Sequence, residues 1–164
     1  MIIMFKVNVY VEPHYPLSRT QLSKACIRAL ELPKVKGKVE VAISVIGDRK
    51  MRKMNREFRG IDAPTDVLAF PYTLDNSRPR EFVNPPTQKF LNFGEILISY
   101  PQLLSRAVKE NMLVDDMANL LVVHGVLHLL GHDHEKGDEA AAMEKLEDQI
   151  LTELSPQKVP EIIK

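Results

Sequence analysis

The sequence predicts a mixed α/β (α+β) fold, in which helices pack on a small mixed sheet of about four strands. Three observations lead to this class: short segments with alternating apolar residues, longer segments with apolar residues at helical spacing, and the interleaving of the two kinds along the chain. Of the 164 residues, 45% are hydrophobic and 27% are charged, as in ordinary globular domains. We expect one domain over residues 1–154 and a C-terminal tail over residues 155–164.

The first two predicted elements are a strand and a helix. Residues 5–11 alternate between apolar and polar side chains, which is typical of a half-buried strand, and Pro13 ends this pattern. Over residues 17–32 the apolar side chains have helical spacing, which predicts a helix with Ser18 as its N-cap. The single cysteine, Cys26, is on the apolar face of this helix and is interpreted as a buried structural thiol.

A second strand and a short basic helix follow. Apolar residues alternate over residues 39–45, and Gly47 ends the strand. Asp48 is the expected cap of a helix that continues to Phe58. Because most charged residues of this helix are basic, it is a candidate surface for an anionic partner.

Two more strands are predicted on either side of a long loop. Residues 65–71 form the third predicted strand, and residues 94–100 form the fourth. The segment between them, residues 72–92, is rich in proline and polar residues, and we interpret it as a loop or an insertion. A loop of this length inside a compact domain is uncommon and often has a functional role.

Three helices complete the predicted fold. Their expected ranges are residues 101–111, residues 115–130 and about residues 138–154. The second of these helices contains two of the five histidines, and two more follow directly after it. The functional interpretation therefore depends on a helix near the C-terminus.

The histidines are spaced as metal ligands. His124 and His128 are four residues apart, so on a helix they share one face and their Cβ atoms are about 5–6 Å apart. Gly131 is suited to end this helix in a left-handed conformation, after which His134 can turn back toward the same ion. Three histidine ligands leave the fourth position of one tetrahedral Zn²⁺ ion open for water, as in catalytic sites.

Two neighbouring residues have supporting roles in this interpretation. Asp133 is a candidate to orient a ligand imidazole through a hydrogen bond. His132 lies outside the ligand spacing, and we interpret it as a packing residue or a hydrogen-bond partner. A lone histidine on an apolar helix is more often a core residue than a ligand. The second and third histidines, together with the glycine, favour a metal site.

The histidine spacing matches the zinc helix of the metzincin proteases, H-E-x-x-H-x-x-G-x-x-H, at the three histidines and at the glycine. Gly125 occupies the position of the glutamate that serves those enzymes as the general base. Because a peptidase needs that base, this departure argues against proteolysis.

A closer resemblance extends over more of the chain. Residues 124–134, H-G-V-L-H-L-L-G-H-D-H, resemble the H-G-x-L-H-L-x-G-[YH]-D-H motif of the YbeY family, the single-strand-specific endoribonucleases of ribosomal RNA maturation. Residues 55–71, which include F-R-G and P-T-D-V-L-A-F-P, agree with a second block of that family. Residues 94–99, G-E-I-L-I-S, agree with a third block, in which the family usually has Asp in place of Glu95.

The resemblance implies a fold, an activity and a site. It implies a small mixed sheet packed with helices, a Zn²⁺ ion bound by His124, His128 and His134, and a functional arginine at Arg59. It also implies cleavage of single-stranded RNA, in the maturation of the 3′ end of small-subunit ribosomal RNA and in ribosome quality control.

Arg59 and the basic helix are the candidate phosphate contacts. The planar guanidinium of Arg59 suits phosphate oxygens, although a surface salt bridge to Asp62 or Asp66 explains this arginine equally well from the sequence alone. Residues 17–60 contain twelve Lys and Arg but only four Asp and Glu. This excess of positive charge suits an anionic partner, but it is also common on a solvated surface with no binding role. The candidate RNA contacts on the basic helix are Arg49, Lys50, Arg52, Lys53 and Arg56.

Two other functions remain open from the sequence. A zinc peptidase would need a base from elsewhere in the chain, and a non-catalytic ribosome-assembly factor would use zinc to hold the C-terminal helices together. No apolar run approaches the roughly 20 residues of a membrane-spanning helix, and the N-terminus lacks the pattern of a secretory signal. We expect a cytoplasmic protein whose partners are single-stranded RNA, above all ribosomal RNA, and the ribosomal small subunit with its associated proteins.

Overall fold

A four-stranded mixed sheet forms the centre of the fold. The computed structural model describes residues 3–72, 90–131 and 137–155, and its strands are β1 (Met4–Val11), β2 (Lys38–Ile46), β3 (Val67–Pro71) and β4 (Leu91–Ser99). The helices of the described residues are α1 (Arg19–Glu31), α2 (Asp48–Arg59), α3 (Tyr100–Lys109), α4 (Val114–Leu129) and α5 (Gly137–Leu154). The predicted mixed α/β class is confirmed.

The strand order in the sheet is β1-β2-β4-β3. β1 is parallel to β2 and β2 is parallel to β4, whereas β3 is antiparallel to β4. The first parallel pair requires a crossover, which α1 provides. Within the described residues β3 pairs with β4 alone, so its other edge is available to border a functional site.

The main core lies on one face of the sheet. Alternation along β2 and β4 points a set of branched side chains to this face, where each is at most 1% exposed: Val39, Val41, Ile43, Val45, Ile96 and Ile98. α1 and α4 pack over them. α4 is apolar around most of its circumference and is largely buried.

A smaller apolar cluster lies on the opposite face of the sheet. α2 packs there against the ends of β3 and β4, through Met51 on the helix and Leu68 and Leu97 on the strands. Met54 and Phe70 are partly buried at the edge of this cluster. This packing positions the C-terminal end of α2 beside β3.

The pairing of β3 with β4 depends on a glycine. The register of β2 with β4 shifts so that Glu40 pairs with Asn92 but Val41 pairs with Gly94. Gly94 has φ 138°, and a Cβ atom there would lie 2.2 Å from the carbonyl oxygen of Phe70. The two backbones approach so closely at this bulge that only glycine is accommodated.

The predicted caps have mixed outcomes. Ser18 is the N-cap of α1 as expected, and its Oγ accepts a hydrogen bond from the backbone N–H of Gln21 at 3.2 Å. The prediction that Asp48 caps α2 is wrong, because Asp48 is already the first helical residue. Its carboxylate instead accepts hydrogen bonds from Ser99 Oγ at 2.7 Å and Gln102 Nε2 at 3.2 Å, at the junction of β4 and α3.

The predicted loop between the third and fourth strands has a different boundary. The predicted loop over residues 72–92 is too long at its end, because β4 already begins at Leu91. The residues 73–89 within that loop lie outside the described residues, as do residues 156–164 of the predicted tail. Ser155, the first tail residue, donates a hydrogen bond from Oγ to Asp116 Oδ1 at 2.8 Å.

No single helix of the described residues has the length and apolarity to span a membrane. α3 and α4 pass that test only when taken together, and they are bent by 114° relative to each other.

Candidate metal centre

His124 and His128 lie side by side on α4, as their spacing predicts. Their Nε2 atoms are 3.0 Å apart and their ring centroids are 4.5 Å apart. Two nitrogen ligands at about 2.0–2.1 Å from one tetrahedral Zn²⁺ ion are about 3.3 Å apart. The two imidazoles therefore approach each other as closely as ligands of one metal ion do, and their geometry fits such an ion.

The other ring nitrogen of His124 faces a carboxylate. Nδ1 of His124 lies 3.2 Å from Glu147 Oε2, and the Glu147 side chain is only 13% exposed. When Nδ1 carries the proton and donates it to Glu147, Nε2 presents its lone pair toward His128 and a metal. Asp133, the predicted orienting residue, lies outside the described residues, and Glu147 was not predicted. Glu147 lies on α5, and it reaches His124 only because α5 packs against α4.

The third predicted ligand lies beyond the described residues. Residues 132–136, which include His132, Asp133 and His134, are outside them, and the described residues contain no cluster of three metal-binding side chains. Gly131 adopts the predicted left-handed conformation, with φ 95°, and its N–H donates to the carbonyl of His128 at 2.9 Å. The end of the helix is confirmed, and the three-histidine ligand set stays a prediction.

The two histidines open into a cleft of about 540 Å³. The cleft runs between α4, the outer edge of β3 and the end of α2. Its lining residues are Arg59, Thr65, Asp66, Val67, Leu68, Ala69, Pro71, His124, Gly125 and His128. The structure thus brings Arg59 together with the two histidines, although Arg59 and His124 are 65 positions apart in the sequence.

Arg59 is exposed at the last position of α2, and the loop after it is well anchored. The side chain of Asn55 is buried and donates a hydrogen bond from Nδ2 to the carbonyl of Ala63 at 2.8 Å. Gly60 adopts a left-handed conformation, and its N–H bonds to the carbonyl of Arg56. These contacts direct Arg59 toward the cleft.

Neither carboxylate that could have formed a salt bridge with Arg59 does so. Asp62 accepts two hydrogen bonds from Arg52, at 2.9 and 3.0 Å, and hydrogen bonding to Arg52 lowers the pKa of Asp62. Asp66 Oδ2 instead accepts a hydrogen bond from Arg106 Nη1 at 2.7 Å. Within the described part of the chain, Arg59 has no ion pair, so its charge is available to a ligand.

The candidate RNA contacts on α2 fall into two groups. Lys50 lies 3.7 Å from Glu12, and Arg52 and Arg56 both contact Asp62. Arg49 and Lys53 are exposed and have no ion pair among the residues that the structure describes. Three of the five predicted contacts are thus partly neutralised within the protein, which the charge count alone did not show.

Gly125 is a tight packing position. A Cβ atom at this residue would lie 2.8 Å from Cγ2 of Ile96 on β4. A glutamate at this position, as in the metzincins, would force α4 away from the sheet. The peptidase interpretation therefore loses its general base for a steric reason as well as a chemical one.

Glu95 does not belong to this cleft. Its Oε2 accepts a hydrogen bond from Ser44 Oγ at 3.1 Å. Ile96, its neighbour on β4, packs under α4, so the alternation of the strand places Glu95 on the opposite face of the sheet from the histidines.

Comparison with known proteins agrees with the geometry. Residues 13–155 match the protein family described as endoribonuclease YbeY. The chain is 38% identical over 149 residues to endoribonuclease YbeY of Roseiflexus castenholzii. The aligned region covers 88% of this chain and 90% of the relative. It is 36% identical over 152 residues to endoribonuclease YbeY of Chloroflexus aurantiacus. That aligned region covers 92% of this chain and 96% of the relative.

The fold has a match among solved structures. A solution structure of a Thermotoga maritima protein superimposes with a TM-score of 0.60 and 24% identity, covering 94% of this chain and 91% of that chain. At this identity the likeness supports the fold alone. The family match and the identities to the two relatives extend over nearly the whole domain, and the chain belongs to the endoribonuclease YbeY family.

Proposed function

We propose that this endoribonuclease is zinc-dependent, cleaves single-stranded RNA, and acts in 3′-end maturation of small-subunit ribosomal RNA and in ribosome quality control. The observation that carries the proposal is the cleft, in which Arg59 faces two histidines whose Nε2 atoms are 3.0 Å apart. A cation and a pair of metal-ligand nitrogens in one cleft suit a phosphodiester better than a peptide.

His124 and His128 would hold the zinc ion, with His134 as the third ligand. The ion would act as a Lewis acid on the phosphate that is cleaved. Glu147 would keep the proton of His124 on Nδ1, so that Nε2 is available.

Arg59 would bind the phosphate and stabilise the negative charge that develops as the bond breaks. Its guanidinium is permanently charged and presents several N–H donors in one plane, which matches two phosphate oxygens. Because the end of α2 is anchored through Asn55 and Gly60, Arg59 would do so with little reorganisation.

The proposed partners follow from the proposed substrate. Arg49 and Lys53 would contact phosphates outside the cleft and add affinity without sequence preference. Contacts with the ribosomal small subunit and its proteins would then select the RNA segment to be cut, and the place of action would be the cytoplasm.

The test uses labelled single-stranded RNA and three proteins purified in parallel: wild type, His128→Ala and Arg59→Glu. Each is assayed directly, with chelator, and with chelator followed by zinc. We expect wild type to cut, chelator to stop cleavage, zinc to restore it, and both variants to be inactive. A 2′,3′-cyclic phosphate on the product would identify the 2′-hydroxyl of the substrate as the nucleophile.

Equal cleavage by all three proteins would indicate a contaminating nuclease and contradict the proposal. If none of them cuts while the wild type binds zinc and ribosomal subunits, the non-catalytic assembly factor becomes the better interpretation.

A further inference from the structure

An exposed aromatic ring lies next to Arg59. Phe58 precedes it at the end of α2 and is 61% exposed. Removing a large apolar side chain from water lowers the free energy. A ring this exposed next to a residue of a functional cleft therefore suggests that a ligand covers it. We propose that Phe58 is a stacking site for an unpaired base of the RNA strand whose phosphate contacts Arg59, an inference that rests on the proposed function.

The ring is supported from the protein side. Its centroid is 4.9 Å from that of Phe70 on β3, and the two ring planes are tilted by 59°. The carbonyl of Asn55 accepts a hydrogen bond from the N–H of Ile61, and the Asn55 side chain holds Ala63, so the backbone around Phe58 is fixed at both ends. A base would meet a preorganised ring, and stacking would cost little conformational entropy.

Phe58 is next to a residue of the cleft without lining the cleft itself. It directly precedes Arg59, which lines the cleft with His124 and His128, and consecutive Cα atoms are about 3.8 Å apart. Two further exposed apolar side chains come from the same neighbourhood. Ile61 is 44% exposed in the loop after α2, and Tyr72 is 38% exposed directly after β3. A strand bound by its phosphate at Arg59 would place a neighbouring base over this apolar area.

The charges around Phe58 favour a nucleic acid over an apolar protein surface. Among the described residues, Arg49, Lys53 and Arg59 of α2 have no ion pair, whereas Lys50, Arg52 and Arg56 contact carboxylates. A groove that combines cations with an aromatic ring is the usual design for single strands, because every base has a face that stacks. In a duplex that face is covered by the neighbouring base pairs, so a stacking site at Phe58 would contribute to single-strand selectivity.

The test measures the dissociation constant for a short single-stranded RNA by fluorescence anisotropy. The full chain carries His128→Ala in every protein, so that the RNA is not cut. Phe58→Ala should weaken binding roughly 5- to 150-fold, which is the cost of removing one stacking aromatic. Phe58→Trp should retain the affinity. Val108→Ala, at an apolar residue that is 82% exposed on α3, is the matched control and should have no effect.

Two further RNA ligands test whether Phe58 contacts a base. Phe58→Ala should leave the affinity unchanged for the same strand with abasic nucleotides, and for a duplex of the same length. If Phe58→Ala weakens binding to the abasic strand equally, the ring supports Arg59 and stacks on no base, and the inference is overturned. Thermal melting of each variant, compared with the parent, accounts for any loss of folding.

An Arg59→Glu arm separates this inference from the proposed function. If Arg59→Glu weakens binding but Phe58→Ala does not, stacking is overturned while the proposed function stands, and the ring becomes a surface for a protein partner. If the parent chain binds no single-stranded RNA, the proposed function and the stacking site are both overturned.

Discussion

At the scale of single residues, His124 depends on the group behind it. An imidazole binds a metal through a nitrogen that carries no proton, so the proton must be held on the other nitrogen. Glu147, which is 3.2 Å from Nδ1 and mostly buried, is placed to hold it there. The carboxylate would therefore support the proposed metal site by orienting a ligand, without binding the ion itself.

This arrangement predicts a metal-affinity defect. Glu147→Gln keeps the shape of the side chain but removes its charge, so the amide can turn its NH₂ toward Nδ1 and favour the wrong tautomer. We expect the affinity for zinc, measured by competition with a chromogenic chelator, to fall about 10- to 100-fold. Glu144→Gln, at an exposed position on the same helix, is the control and should bind zinc like the wild type. An unchanged affinity of Glu147→Gln would exclude the orienting role.

The residues of the site differ in how far the sequence could predict them. His124 and His128 were predictable because helical spacing alone places them on one face. Arg59 was ambiguous, because the sequence does not show that Arg52 binds Asp62 and that Arg106 binds Asp66. Glu147 was not predictable from spacing, since its role depends on the packing of α5 against α4.

At the scale of elements, the contact between α4 and β4 sets the position of the cleft. Gly125 lets the helix approach the sheet until its backbone meets Ile96. A glycine in a helix interior is about 1 kcal/mol less favourable than an alanine. The close packing of α4 on the sheet must offset this destabilisation. The same residue lines the cleft, which links the packing of the helix to the width of the site.

A double-mutant cycle tests this contact. Gly125→Ala should destabilise the protein by about 1 kcal/mol, because overpacking against Ile96 exceeds the gain in helix propensity. In an Ile96→Ala background, where the clash is absent, Gly125→Ala should instead be stabilising. The free energies of unfolding come from urea titrations. Additive effects of the two substitutions would show that Gly125 and Ile96 are not coupled.

The elements themselves were predicted with uneven success. β2 was predictable because its buried positions alternate from Val39 to Val45, whereas β4 was recognisable as a short apolar run that is buried at most positions. The Asp48 cap was wrong because Ser99 and Gln102, distant in sequence, occupy its carboxylate. The start of β4 was missed because Leu91 and Asn92 follow a long polar segment that resembles a loop.

At the scale of the whole molecule, the single cysteine reports on the integrity of the core. Cys26 is completely buried in α1, and burial raises the pKa of its thiol to about 12. At pH 8 only ~10⁻⁴ of such a thiol is ionised, so alkylation requires the core to open. α1 packs directly on α4, which carries the two histidines, so the thiol is sensitive to any loosening of that helix.

This sensitivity distinguishes a catalytic from a structural zinc. Because the core is closed by apolar packing of α1 and α4 on the sheet, we expect chelation to leave the rate of Cys26 alkylation unchanged while RNA cleavage stops. Mass spectrometry measures the alkylated fraction, and a sample in concentrated urea defines the fully reactive limit. If chelation alone gives that limit, zinc holds the fold together, as a non-catalytic assembly factor would require.

The pairing of β3 with β4 has a consequence for how this family can evolve. The N–H of Tyr72 donates to the carbonyl of Phe93, so the chain leaves the sheet and re-enters it at adjacent points. Closing a longer connection between two such points costs only about 0.6 kcal/mol for each doubling of its length. Insertions and deletions between residues 73 and 89 can thus accumulate without changing the register of the strands. Natural selection could vary this segment from one lineage to another while the cleft stays constant.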